Sequence, residues 1–279
     1  MIFNSFAQKN WLQGAGGNAN DEALAITHDQ QGNVYSTGYF SQAARFDNII
    51  IPSSGMSDVF VAKQDSLGTF LWVVNAGGTQ DEKATGITVN AAGEIFITGV
   101  FRGTSPFGST TLNSISSSQD IFIAKLDNSG NFIWAKGYGG ADTDLSSDIA
   151  VDGSGNITAV GEFKGTSSFG GYTFTSVNYP ITMPSSGGLP SYDALIFKTN
   201  SVGTVMWAKQ GAANYDDRIL KVELDALANI YVCGQFSDTL TFTGTYNNNA
   251  FNAGLVMKID SAGNEIWFRR LISSQFMMY

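Results

Sequence analysis

The stretch Asp58–Trp72, DVFVAKQDSLGTFLW, returns at Asp120–Trp134 as DIFIAKLDNSGNFIW. Asp, Phe, Ala, Lys, Asp, Gly, Phe and Trp keep their places, and most other positions exchange one aliphatic or small polar residue for another. Its skeleton is Lys, one residue, Asx, two residues, Gly, three residues, Trp. It occurs as Lys63-Asp65-Gly68-Trp72, Lys125-Asp127-Gly130-Trp134, Lys198-Asn200-Gly203-Trp207 and Lys258-Asp260-Gly263-Trp267. Four copies of one spacing define an internal repeat, and a repeat decides the architecture before any motif is weighed.

A second block precedes each copy: ALAITHDQQGNVYSTGYF, ATGITVNAAGEIFITGVF, SSDIAVDGSGNITAVGEF and ILKVELDALANIYVCGQF. These blocks close at Phe40, Phe101, Phe163 and Phe236, in steps of 61, 62 and 73, and another Phe follows six residues later at 46, 107, 169 and 242. Each copy holds two alternating runs broken by Asx, two residues and usually Gly, such as Asp29-Gln30-Gln31-Gly32. Asx at the start of a turn bonds its own backbone, and Gly supplies the positive φ that closes a short hairpin. Each copy is therefore expected to be two hairpins, in the first copy strands over 23–29, 33–40, 58–65 and 69–75, with a looser connection through Phe46.

A four-stranded sheet with apolar residues on both faces is stable only when its neighbours cover it. The expected fold class is all-β: a β-propeller of four-stranded antiparallel blades, four complete repeats at about 18–75, 79–137, 141–210 and 214–270. Trp11 in NWLQGAGG adds an extra N-terminal outer strand, although Trp267 already supplies that strand for the fourth repeat. The chain thus reads as a four-bladed ring with a redundant strand or as part of a larger propeller. The four repeat tryptophans are expected to wedge between blades. Residues 1–10 read as a signal-peptide remnant or N-terminal arm, and 11–279 as the propeller domain.

The totals agree with this reading. Of 279 residues, 43% are hydrophobic and 14% charged, with 32 Gly and only five Pro, a composition for many short strands joined by tight turns. A net charge of −9 opposes nucleic acid, whose phosphates require clustered Lys and Arg. No apolar run is long enough for a membrane-spanning helix. One cysteine, Cys233, excludes an intrachain disulfide framework.

At this level the copies resemble the SBBP repeat, named for seven-bladed β-propellers, whose GNVYVTG and DIFVAKLDSSGNLLW blocks are matched across residues 11–270. The match is closest in the first two copies. It weakens in the fourth, where Ala253 stands in the Asp58 column and Ala228 replaces a turn Gly. The resemblance implies a secreted or surface-displayed bacterial propeller and brings no catalytic residues.

His28, the single histidine, shares a column with Val89, Val151 and Leu224 and reads as a core-facing position of the innermost strand; Cys233, in the column of Thr37, Thr98 and Val160, reads as a small buried hydrophobe. The column Asp21, Glu82, Asp144 and Asp217 places one carboxylate before each innermost strand. These four are candidate ligands of a cation such as Ca²⁺, or else acceptors for the backbone N–H groups after each GG. The lysine column Lys63, Lys125, Lys198 and Lys258, repeated at one spacing in every copy, reads as fold maintenance. The pairs Asp21-Glu22, Asp81-Glu82 and Asp216-Asp217 suit glycoside hydrolysis poorly, because adjacent strand residues face opposite ways.

Purpose is expected where the copies differ. The third carries about eleven extra residues within 171–192, with Tyr172, Phe174, Tyr179, Tyr192 and three prolines, a composition suited to recognition on a rigid scaffold. The Asn-rich 245–254 is a second candidate. The expected function is a non-enzymatic, secreted or cell-surface scaffold binding a protein or glycan. The alternatives are a spacer module of a larger adhesin and a carbohydrate-active enzyme.

Overall fold

The computed structural model describes residues 14–177, 191–237, 239–242, 244–247 and 253–271. Short β1 (Ala15–Gly16) leads into repeat 1: β2 (Asp21–His28), β3 (Val34–Phe40), the small hairpin β4 (Ala43–Phe46) and β5 (Ile49–Pro52), then β6 (Asp58–Gln64) and β7 (Phe70–Ala76). Repeat 2 has β8 (Lys83–Val89), β9 (Ile95–Arg102), β10 (Thr104–Phe107), β11 (Thr110–Asn113), β12 (Gln119–Leu126) and β13 (Phe132–Gly140). Repeat 3 has β14 (Asp144–Val151), β15 (Ile157–Lys164), β16 (Thr166–Phe169), β17 (Tyr172–Thr175), β18 (Tyr192–Thr199) and β19 (Val205–Gly211). Repeat 4 has β20 (Arg218–Leu224), β21 (Ile230–Phe236), β22 (Thr239–Thr241), β23 (Thr245–Asn247), β24 (Ala253–Ile259) and β25 (Glu265–Leu271). The main sheets run antiparallel in the orders β2-β3-β6-β7, β8-β9-β12-β13, β14-β15-β18-β19 and β20-β21-β24-β25.

The turns follow from their residue types. Asp29 Oδ1 accepts the N–H groups of Gln31 and Asn33 at 3.0 and 2.9 Å, and Asp127 Oδ1 those of Ser129 and Asn131, both at 2.9 Å. The fourth turn residue is left-handed: Gly32 at φ 79°, Gly130 at 85°, and in repeat 4 Ala228 at 60°. The link through Phe46 is more ordered than expected, since every repeat folds a second small hairpin there. Its aromatic residue is buried as Phe46, Phe107 and Phe169; Phe107 lies 4.7 Å from Phe122 and 5.8 Å from Phe132, ring centre to ring centre. The signal was that second Phe, six residues after the first.

The sheets stack in chain order through their inner strands, β2 on β8, β8 on β14 and β14 on β20, with no comparable packing of β2 on β20 among the described residues. The result is a propeller-like row of four sheets in which none closes on itself. Neighbours are also stitched at their outer edge. The end of β13 pairs with β16 (Gly139↔Ser168, Gly140↔Ser167), and β1 pairs with β4 in the same manner (Ala15↔Phe46, Gly16↔Arg45). Trp11 and the rest of the expected extra strand lie outside the described residues.

Three of the four tryptophans share one environment. Trp72 donates its indole N–H to Asn128 O at 3.1 Å and lies against Gly130. Trp134 lies against Gly203, and Trp207 donates to Ser261 O at 3.2 Å and lies against Gly263. Each therefore caps the outer turn of the next sheet, half-buried rather than fully enclosed. Trp267, in the last sheet, meets no such turn among the described residues. The same cause corrects two expectations. His28 is exposed because β2 has no described sheet on its proximal side, and Cys233 is exposed, whereas Thr37 and Thr98 in its column are fully buried under a neighbouring sheet.

Candidate functional site

Each inner strand carries a bulge at one position, between Ala23 and Ala25, Ala84 and Gly86, Ser146 and Asp148, and Ile219 and Lys221. A bulge re-aims the side chains beyond it. Here the residues that follow, Ala25, Gly86, Asp148 and Lys221, come to line or flank a groove of about 320 Å³ along the axis, walled by Ile26, Ile87 and Ile149 with Glu223 at its side. Lys221 Nζ stands 3.6 Å from Asp148 Oδ2, which also accepts the Val222 N–H at 3.2 Å. Burial raises the pKa of Asp148 above the usual carboxylate value, and the Lys221 charge opposes that shift. Lys221 is largely solvent-accessible. The column reads Ala, Gly, Asp, Lys, four different chemistries at one repeated place; sequence reasoning missed it, and this divergence is the signal by which the groove could have been found.

The carboxylate column lies elsewhere, at the sheet-to-sheet junctions. Glu82 accepts the Gly78 N–H at 2.8 Å and the Ser105 hydroxyl at 2.6 Å. Asp144 accepts the Gly140 N–H at 2.7 Å and the Ser167 hydroxyl at 2.6 Å. Asp217 accepts the Ser237 N–H at 2.8 Å, and Asp21 takes the N–H groups of Gly17 and Ser41. Glu82, Asp144 and Asp217 are fully buried, and each adjoins an aspartate that opens the preceding repeat's third long strand, or lies next to its start: Asp58, Asp120 and Asp193. The first two pairs converge on a glycine. A Cβ on Gly77 would lie 2.7 Å from Asp58 Oδ1 and 2.8 Å from Glu82 Oε2, and one on Gly139 would meet Asp144 and Asp120 in the same way. Only a residue without a side chain fits there. Asp58 Oδ1, Asp193 Oδ1 and Asp217 Oδ2 are buried with no hydrogen-bond partner among the described residues. Burial pushes Asp120 to about 6, Asp144 and Asp193 to about 7 and Asp217 to about 8.

For a cation, this donor set is a poor fit. Both oxygens of Glu82 and of Asp144 are taken by N–H and O–H donors, and among the described residues no three His, Cys, Asp or Glu side chains are grouped to hold a metal ion. The lysines are spent on neighbouring turns. Lys63 donates to Asn128 Oδ1, Lys125 pairs with Glu94 at 2.7 Å, Lys198 with Asp152 at 3.0 Å and Lys258 with Asp225 at 3.5 Å.

The proposed recognition residues do not form one cluster. Tyr172 and Phe174 belong to β17, part of the hairpin that every repeat possesses, so they precede the insertion. Tyr172 is exposed and donates its hydroxyl to Met206 O at 2.8 Å; Phe174 packs on Phe163 and Phe169. Tyr192 opens β18 under Lys164, whose ammonium lies 5.4 Å from the ring centre. Tyr179, with the middle of the insertion, lies outside the described residues.

No family model matches the chain. It is 24% identical over 87% of its length to an uncharacterized WD repeat-containing protein, L264, of Acanthamoeba polyphaga mimivirus, and 29% identical over 37% of its length to the regulatory protein FlaEY of Caulobacter vibrioides. The chain spans 22% and 11% of the length of these two proteins. A crystal structure of a protein of unknown function from Bacteroides caccae aligns over 89% of this chain and 81% of that one, at 8% identity and a TM-score of 0.40. The similarity to a WD repeat-containing protein agrees with a repeat scaffold of propeller type.

Proposed function

We propose that the chain is a non-enzymatic propeller of the SBBP kind, secreted or held at the outer cell surface, that binds a protein or glycan through the insertion at 171–192. The observation that supports it is the contrast between columns. Residues repeated in every copy are engaged in holding the fold, the junction carboxylates and three of the four tryptophans between sheets and the lysines on turns of their own or the next sheet, so recognition falls to the places where the copies differ. The insertion leaves the scaffold between Thr175 and Tyr192, two strand ends fixed by pairing to β16 and β15. Within it, Tyr179 offers contact area at small entropic cost, flanked by the strand-borne Tyr172 and Tyr192, and three prolines restrict the free loop.

The test is deletion of residues 178–190 with a Gly-Ser bridge, followed by binding to arrayed glycans and to extracted surface proteins. The expected result is loss of the wild-type signal with a melting temperature close to wild type. Retained binding, or binding and melting lost together, counts against the insertion as the contact. A spacer role in a larger adhesin gives no specific signal from wild type or variant.

A further inference from the structure

In two repeats a side-chain amide ties the outer strand to the small hairpin and to the aspartate that opens the third long strand or lies next to its start. In repeat 1, Asn75 of β7 donates to Pro52 O at 3.0 Å, and its amide favours the ionised Asp58 carboxyl against the larger, opposing effect of burial. In repeat 3, Gln210 of β19 donates to Thr175 O at 2.9 Å and to Asp193 Oδ2 at 2.6 Å. The ladders set Asn75 opposite Phe60, Gln210 opposite Leu195 and Gly137 opposite Phe122, so Gly137 of β13 holds this place in repeat 2. Both acceptors are kept there, as Asn113 O and Asp120, but glycine has no side-chain amide to give them. In repeat 4, by contrast, acceptor and donor change together, to Ala253 and Arg270.

The missing side chain leaves a pocket. A cavity of about 330 Å³ lies over Gly137, between β11 and the paired ends of β13 and β16, with Leu112 and Ile115 on its apolar side and Asp120 and Ser168 among its polar groups. Gly137 is exposed where Asn75 and Gln210 are half-buried. Asp120 is 2% exposed and is held in place by the Ile115 N–H and the Ser118 hydroxyl, both at 2.9 Å. Burial holds its carboxyl at about 6, so at neutral pH it is ionised and only accepts hydrogen bonds. The pocket sits between repeats 2 and 3, each with a described sheet on both sides. None of its described lining residues belongs to 178–190, so it is independent of the insertion as a contact.

We infer that this pocket binds a primary carboxamide, whose N–H groups take on Asp120 and Asn113 O the place that the Asn75 and Gln210 amides hold in repeats 1 and 3. The carboxamide is the side chain of a Gln or Asn in a peptide, or that of a small molecule. A carboxylate of the same shape brings no donor and meets the charge of Asp120, which makes the site selective.

Amide ¹H–¹⁵N spectra of the full chain test the assignment with acetamide, acetate and methylammonium as probes. Acetamide is expected to shift the signals of Ile115, Gly137 and Gly139, and acetate to shift none of them. Gly-Gln-Gly and free glutamine then separate the sources: tighter binding of the peptide identifies a peptide side chain, and tighter binding of the amino acid a small molecule. Gly137→Asn supplies the amide from within and is expected to abolish the acetamide shifts while the protein still melts cooperatively. A Cβ there would lie 2.9 Å from Phe101 Cζ, and the ring has to turn aside, so Ser168→Phe at the exposed rim provides a second blocked variant. Absence of acetamide shifts in wild type overturns the proposal. So do shifts that persist in both variants, or methylammonium acting on the same signals at lower concentration than acetamide, which would make the pocket a cation site.

Discussion

Among the described residues, repeats 2 and 3 have a neighbouring sheet on each side, and repeats 1 and 4 have one each. The same letters therefore sit in different surroundings. Ile149 is sealed in a junction and Ile26 faces solvent, although both stand five residues after the repeat's opening carboxylate. In a stacked-repeat protein stability is approximately a sum of each unit and its interfaces, so a residue's worth depends on whether its interface is present. Position in the row, as well as residue type, sets the energy.

The largest contrast is expected at that column. Ile149→Ala should cost about 2–4 kcal/mol through lost burial and a residual cavity, while Ile26→Ala, measured in dilute protein, should change stability by less than about 0.5 kcal/mol. Urea midpoints check both. Equal losses would break the comparison. The next contrast is between tryptophans. Trp207→Ala removes a half-buried ring and its bond to Ser261 O, worth about 2 kcal/mol after discounting a fully buried aromatic for exposure; Trp267→Ala should cost about half as much.

A third expectation sharpens the comparison through pH. The junction carboxyls are held above their ordinary values by burial, at about 6 for Asp120, 7 for Asp144 and Asp193 and 8 for Asp217. A carboxyl whose folded value is raised stabilises the fold fully below its unfolded value near 4, and that contribution is lost as pH rises through the folded value. The melting temperature should therefore fall by several degrees from pH 5 to pH 9. Asp217→Asn, which keeps the shape of the protonated acid, should flatten the upper part of that fall. A melting temperature that rises over the same interval would show that the pairs are ionised and otherwise compensated.

Much of this was legible in the sequence because it is local. The Asx-x-x-Gly turns and the alternating runs set strand limits to within a residue or two, as β3 (Val34–Phe40) and β6 (Asp58–Gln64) show. The second hairpin was not read, since four-residue strands such as β4 and β10 are too short for a periodic signal, and Phe46 and Phe107 alone marked it. The exposure of His28 and Cys233 was not legible for a different reason. Column logic assumes that every copy has the same neighbours, and among the described residues the first and last copies do not. The groove was missed because its bulge shifts the facing of β2, β8, β14 and β20 by one residue, which strict alternation does not anticipate.

The smallest expected effect lies in a single turn, and it compares an end repeat with a middle one directly. Asp152-Gly153-Ser154-Gly155 and Asp225-Ala226-Leu227-Ala228 make the same turn, each closed by the fourth residue's N–H on the first residue's carbonyl at 2.9 Å. Gly155 sits at φ 79° and Ala228 at 60°. A side chain in the left-handed region costs about 1–2 kcal/mol, and glycine returns roughly half of that gain through the greater freedom of the unfolded chain. Ala228→Gly should therefore stabilise the protein by up to about 1 kcal/mol, seen as a small rise in the urea midpoint. Gly155→Ala should destabilise by more than that, because its Cβ would stand 3.3 Å from Ser201 Cβ in addition to the backbone cost. If Ala228→Gly left the midpoint unchanged, the unfolding measured would not include repeat 4, and the row would be losing its last sheet before the rest.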